Sequence, residues 1–386
     1  MQTIQVTDKK TIEEFHQVPR VVYKNDKKWI PHLKQDIEKV FDPEKNKAFQ
    51  HGEIERWIFK DDAGNLIGRV AAFVDKKLSA TFDQPTGGLG FFEVIEDKEI
   101  AFKIFDHCRD WLKERGVEAM DGPINFGEKN QFWGLLIENF DDPGLYAMNY
   151  NPPYYKDFFE EYGFQIYYNQ LVYWRDMQEP QPIFYRKYNQ MKRDPDYLTT
   201  DIRGMSWEKV AEDFRTVYND AWGGHEDFKP MEQKTAMKLM KAMKPVVDKR
   251  IICFVYYKKK PIAFYINLPE LNQIFRYVNG NLNWLGKLKF LYHKWVGTPT
   301  TMNGIVFGVA KEFQGKGMEA AMIVWAYEHI AKKKLYTDTV LTWIGDFNPK
   351  MIKVCENLGA SNYRTLATYR YLFDREKPFE RAPIID

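Results

Sequence analysis

Cysteine is scarce in this chain of 386 residues: Cys108, Cys253 and Cys355 are the only three. They are odd in number, far apart, and form no CxxC pair, so neither a disulfide framework nor a zinc knuckle is available. A reducing interior suits such a sequence. Charge of one sign is also missing. Lys and Arg total 56 against 54 Asp and Glu, a net of +2, which gives no electrostatic reason to expect nucleic acid. No apolar run approaches ~18 residues, so no membrane span is expected. The opening MQTIQVTDKKTIEEF has no apolar segment after a basic one, so no leader is expected and the location reads as cytoplasmic. Three common chemistries lack their motifs: there is no GxxxxGK[ST], no GxGxxG opening a helix and no GxSxG. His16, His32, His51, His107, His293 and His329 show no metal-ligand spacing, and no metal is expected.

What the chain does have is apolar material. Hydrophobic residues make up 44% and aromatics 16%, enough for two cores at this length. Helical and strand periodicities alternate. TIEEFHQVPRVVYKN and WIPHLKQDIEKVF have helical spacing interrupted by Pro19 and Pro31. EIERWIFK and NLIGRVAAFVD flank a turn and read as a hairpin. A strand, GGLGFFEVI, precedes the amphipathic helix EIAFKIFDHCRDWLKERG, which Gly116 stops. NPPYYKDFFEEYGF is a helix opening on prolines. Residues 179–200 lose periodicity and gain Pro and charge, so they read as a linker between domains 1–178 and 201–386. The second half repeats the order of helices, hairpin, strand, helix, strand, helix, strand, and NPKMIKVCENLGA echoes NPPYYKDFFEEYGF. The shared order favours a duplication.

The most informative stretch is VAKEFQGKGMEA, residues 309–320, where a strand passes through glycines into a helix. A helix start exposes about four unpartnered N–H groups and roughly half a positive charge. Gly315 and Gly317 allow close approach of an anion, Lys316 adds a cation, and Gln314 adds an amide donor. A plain strand-to-helix turn would look similar.

With its flanks included, the segment resembles the GNAT (general amine N-acetyltransferase) superfamily, whose members carry a [QR]-x-x-G-x-[GA] loop between a strand and a helix. Gln314 and Gly317 match. Glu319 departs, standing where Gly or Ala is usual. The resemblance implies an α/β (α+β) fold of two tandem acyl-CoA N-acyltransferase-like domains. Each would have a mixed, mostly antiparallel twisted sheet flanked by helices. It further implies a coenzyme A site in the second domain. The diphosphate would lie over Gln314, Gly315, Lys316, Gly317, Met318 and Glu319, and the pantetheine arm along Phe307, Val309 and Ala310 of GIVFGVA. Asn348 and Gly359 match the family's closing helix, where Cys355 replaces the usual proton-donating tyrosine. Cys355 could donate a proton; as a residue type it reads more simply as a small buried apolar side chain. The first half has Glu96, Asp97 and Glu99 where its loop would stand, and so resembles a degenerate copy without the cofactor site.

The resemblance implies acyl transfer, acetyl being the simplest case, from acetyl-CoA or another acyl-CoA to a primary amine on a small molecule or peptide. The amine would attack directly in a ternary complex. TMNGIVFGV offers no carboxylate base. His225, in AWGGHEDFKPM, has an ordinary pKa of about 6.5 and is the candidate, though the same residues read more simply as a solvated loop followed by a helix cap. Two alternatives stand: a non-catalytic acyl-CoA-binding protein, and a tandem-domain transferase that uses charged tRNA. Finally, LNWLGKLKFLYHKWVG at 282–297 could lie on a membrane surface, wall a pocket, or cover the sheet with its lysines reaching water; the last is the simplest expectation.

Overall fold

The computed structural model describes residues 1–223 and 229–385. In the first half the strands are β1 (Gln2–Gln5), β2 (Gly52–Lys60), β3 (Leu66–Asp75), β4 (Thr86–Val94), β5 (Ala119–Gly122), β6 (Leu135–Glu138) and β7 (Gln165–Asp176). The second half supplies β8 (Tyr197–Asp201), β9 (Cys253–Tyr257), β10 (Lys260–Pro269), β11 (Thr301–Val309), β12 (Asp338–Gly345) and β13 (Ser361–Leu372). Helices of the first half are α1 (Lys9–Val22), α2 (Lys34–Val40), α3 (Lys76–Ser79), α4 (Lys98–Lys113) and α5 (Tyr154–Tyr162). Then follow α6 (Pro182–Lys192), α7 (Trp207–Trp222), α8 (Gln233–Met243), α9 (Asn272–Val278), α10 (Trp284–Trp295), α11 (Met318–Ala326) and α12 (Pro349–Asn357).

The strands form one sheet in the order β1-β2-β3-β4-β5-β13-β7-β12-β11-β10-β9-β8, with β6 paired to β13. From either edge the pattern is the same: antiparallel neighbours, then one parallel pair. That pair is β4 with β5 in the first half and β11 with β12 in the second. The halves exchange their last strands. β7 leaves the first half to pair with β12, and β13 returns to pair with β5. Arg370 on β13 is fastened to Asp121 on β5 by two hydrogen bonds of 2.7 and 2.8 Å, both side chains being buried.

Helices cover both faces. Phe105 of α4 and Phe159 of α5 pack on one face of the first half, and Phe15 of α1 packs with Ile58 and Phe73 on the other. In the second half Met318 and Trp325 of α11 fill one face, and Phe214 and Val217 of α7 fill the other.

Two local expectations change. Pro19 does not interrupt α1, which runs to Val22. A helical proline leaves the carbonyl four residues earlier without its N–H, and here Arg69 Nη1 donates to the Phe15 carbonyl at 3.0 Å instead. The stretch 179–200 holds α6 and the start of β8. Pro182 stands in the first turn of α6, where its missing N–H costs nothing.

Candidate active site

The parallel pair of the second half is short. β11 and β12 are in register only over Thr301–Gly304 and Asp338–Leu341. Beyond that, β12 continues against β7, while β11 follows β10 through a bulge that skips Ile305. The strands part, and the gap opens into a cavity of about 870 Å³ whose wall is chiefly apolar, including Met302, Ile305, Phe307, Met322, Leu341 and Ile344. The Ala310 N–H donates to the Ile262 carbonyl at 2.8 Å, toward β10. Backbone groups alternate sides along a strand, so those of Val309 and Phe307 turn into the gap. The Val309 carbonyl accepts from Gln314 Nε2 at 3.1 Å; its N–H faces the gap without a partner strand.

At the end of β11 the chain makes a tight turn over Lys311–Phe313 and passes Gly315 (φ +72°) and Gly317 (φ +92°) into α11. These left-handed values favour glycine. No side chain caps α11. Among the described residues, the amides of Gly315, Gly317, Met318, Glu319 and Ala320 donate to no backbone or side-chain acceptor. Lys316 is exposed beside them. Lys187 of α6 lies against Gly317, close enough that a Cβ there would stand 3.4 Å from Lys187 Cδ. The opening thus combines free N–H donors, a helix dipole and two lysines, which is chemistry for an anion.

The first half closes the equivalent place. Asp97 Oδ1 accepts from the Ile100 N–H at 3.1 Å and caps α4. The Tyr155 hydroxyl accepts from the Val94 N–H at 2.7 Å and donates to the Val94 carbonyl at 3.1 Å. Ile124 N–H reaches the Leu89 carbonyl at 2.7 Å. The protein's own groups thus occupy the strand end and cap the helix start in the first half.

Of the residues singled out in sequence, Phe307, Val309, Gln314, Glu319, Asn348 and Cys355 line the cavity. Ala310, Gly315, Lys316, Gly317 and Met318 do not. Met318 turns its side chain into the core, and Ala310 stays in the β10 ladder. Asn348 Oδ1 accepts from the Met351 N–H at 3.1 Å and so caps α12. His225 lies outside the described residues. Burial pushes the Cys355 thiol up to about 11, with Glu356 adding to the rise. It holds its proton more tightly than an ordinary thiol at about 8.5 does.

Sequence reasoning missed several wall residues. Arg175 of β7 lines the cavity, and its guanidinium has no hydrogen bond or ion pair among the described residues. Burial lowers its pKa, yet a guanidinium remains charged. Tyr265 lies beside it, its hydroxyl pushed up by burial. Thr342, also in the wall, donates to Asn303 Oδ1 at 3.0 Å where the strands part. Among the described residues Glu319 is the only carboxylate in the wall, and no histidine is there. No group of side chains suited to a metal occurs among them either.

No family model matches the chain. Protein YghO of Escherichia coli (strain K12) is 26% identical over 372 residues, covering 94% of this chain and 93% of that one. The bacterial ceramide synthase of Caulobacter vibrioides is 25% identical over 366 residues, covering 93% and 94%. Among solved structures, a tandem GNAT protein from the clavulanic acid biosynthesis pathway superposes with a TM-score of 0.51. It shares 9% identity, over 97% of this chain and 99% of its own.

Proposed function

We infer that this chain, a tandem protein of the GNAT fold, is an N-acyltransferase that draws its acyl group from coenzyme A and passes it to a primary amine. The observation that carries this reading is the β11–β12 gap with an uncapped helix start at its mouth. The diphosphate fits the free amides of Gly315 and of Gly317 to Ala320, with Lys187 and Lys316 beside it. The pantetheine arm fits along Phe307 and Val309, whose gap-facing backbone groups lack a strand. The Val309 N–H is then available to the oxyanion that forms when the amine attacks the thioester. In that step a C–N bond forms and the C–S bond breaks. The proton lost by the amine is available to the departing thiolate.

The division of labour we propose is a cofactor-free copy at 1–178 and an acyl-CoA domain at 201–386, joined through 179–200. His225 is the proposed base, three positions beyond Trp222 of the cavity wall. Cys355 serves as wall, because its raised pKa makes donation to a thiolate uphill. Arg175 suits a hydroxyl, carbonyl or anionic group on the acceptor. Acetyl is the simplest donor, but the apolar wall and the relative named as a ceramide synthase support a longer acyl chain and a long-chain amine.

The wall's lack of a histidine, and of any carboxylate but Glu319, among the described residues favours a second reading, a non-catalytic acyl-CoA-binding protein. Thiol release from acetyl-CoA and from long-chain acyl-CoA, measured against short and long-chain amines, separates the two. The transferase reading expects release that depends on amine. Binding of coenzyme A without release assigns the second reading, and absence of binding removes both.

A further inference from the structure

Helix α10 is turned inside out relative to an ordinary surface helix, which buries its apolar stripe. Trp284, Leu288, Leu291 and Trp295 follow one another at steps of four, three and four, so they share one face. That face points to solvent: Trp284 is 73% exposed, Leu291 58% and Trp295 83%. Leu285, Tyr292 and Val296 widen it and are exposed as well. Gly286 and Phe290, on the opposite side, contact the protein instead, Phe290 stacking on Phe275 of α9. Exposed lysines rim the apolar stripe, Lys287 on one flank and Lys289 on the other, while Lys294 is half-buried and turns its ammonium inward.

The neighbouring segments carry the same sign, the one carboxylate acting on Lys294, Asp248, being paired with Arg250. No acidic residue occurs from Leu271 to Lys311, nor from Gln233 to Val247. These two segments touch, since Lys294 Nζ donates to the Pro245 carbonyl at 2.6 Å. Lys238, Lys241 and Lys244 of the second segment are exposed. An exposed stripe of Trp and Leu with tryptophans at both ends, rimmed by lysines and free of carboxylates, matches the boundary between acyl chains and anionic headgroups.

We propose that α10 docks this protein on an anionic lipid surface, its apolar stripe entering the interface and its lysines meeting the headgroups. The docking is peripheral, since no helix among the described residues is long and apolar enough to cross a membrane. It stands on the surface of α10 alone and does not depend on the transferase reading.

Co-sedimentation of the full chain with mixed phosphatidylcholine–phosphatidylglycerol vesicles tests it, with phosphatidylcholine vesicles as control. The wild type is expected to sediment with the anionic vesicles and to be released by salt. The double variant Leu288→Ser, Trp295→Ser removes exposed side chains only and should bind at least about tenfold more weakly. The double variant Lys287→Gln, Lys289→Gln should lose about fivefold per lysine. Failure of the wild type to sediment with anionic vesicles overturns the proposal, as does binding by both variants as tight as that of the wild type. A dimer detected by light scattering, abolished by Leu288→Ser, Trp295→Ser and unaccompanied by vesicle binding, also overturns it and assigns the stripe to contact between copies.

Discussion

The side-chain amide of Gln314 donates to the Val309 carbonyl at 3.1 Å, tying the loop back to the strand it has just left. Gln314 therefore shapes the loop and occupies the Val309 carbonyl at the end of β11. Its Nε2 is committed inward rather than aimed at an anion. Gln314→Ala should cost on the order of 1 kcal/mol of stability. It should weaken coenzyme A binding several-fold through the loosened loop. Thermal unfolding and calorimetry check the two effects.

Arg175 reaches the cavity only because the two halves exchange strands. If it receives the acceptor, Arg175→Met should lower kcat/KM for the amine by about tenfold or more and leave coenzyme A affinity unchanged. Steady-state kinetics with amine varied at saturating acyl-CoA, alongside a coenzyme A titration, makes the distinction. A loss confined to coenzyme A affinity would place Arg175 on the cofactor instead.

Cys355 is buried, and its thiol is pushed up to about 11. A thiol that reluctant makes a poor acid for a leaving thiolate. Cys355→Ser and Cys355→Ala should both keep kcat within a few-fold of wild type, whereas loss of a working proton donor typically costs 10²–10⁴-fold. Rate profiles over pH for the two variants should overlay that of the wild type.

Glu270 is 3% exposed, and burial pushes its carboxyl up to about 7, against the bonds it accepts from the Tyr146 and Asn272 amides at 2.8 and 3.0 Å. A folded pKa above the unfolded 4.5 means that the native state holds the proton more tightly. That contribution to stability is full below about 4.5 and is lost as pH rises through about 7. Glu270→Gln keeps an oxygen for both amides and removes the titration. The variant should match the wild type in acid, melt a few degrees higher at pH above 7, and show a shallower decline between. Thermal melts across that range measure it.

What could be read from the sequence was what is local. The Gln314–Gly317 loop, the strand before it and the helix after it follow from residues adjacent in the chain, and the paired halves follow from repeated order. Residues brought in from a distance could not be read. Pro19 looked like a helix break because its remedy, Arg69, is fifty positions away on β3. Arg175 carried no signal because its place depends on which strand β7 joins. The helix α6 within 179–200 could not be read because Pro182 and the charges hide it until it packs against α11 and brings Lys187 to Gly317. The α10 pattern was visible, but periodicity alone does not say which face points inward.

The central claim is that the free amides around Gly315 bind the coenzyme A diphosphate, and calorimetric titration of coenzyme A into three proteins tests it most directly. A Cβ at Gly315 meets no atom within 4 Å, so Gly315→Asn and Gly315→Asp fit equally and carry the same left-handed backbone demand. They differ in charge. Wild type and Gly315→Asn should bind with comparable affinity while Gly315→Asp loses at least about tenfold. Equal affinity in all three, or no binding by the wild type, would contradict the claim.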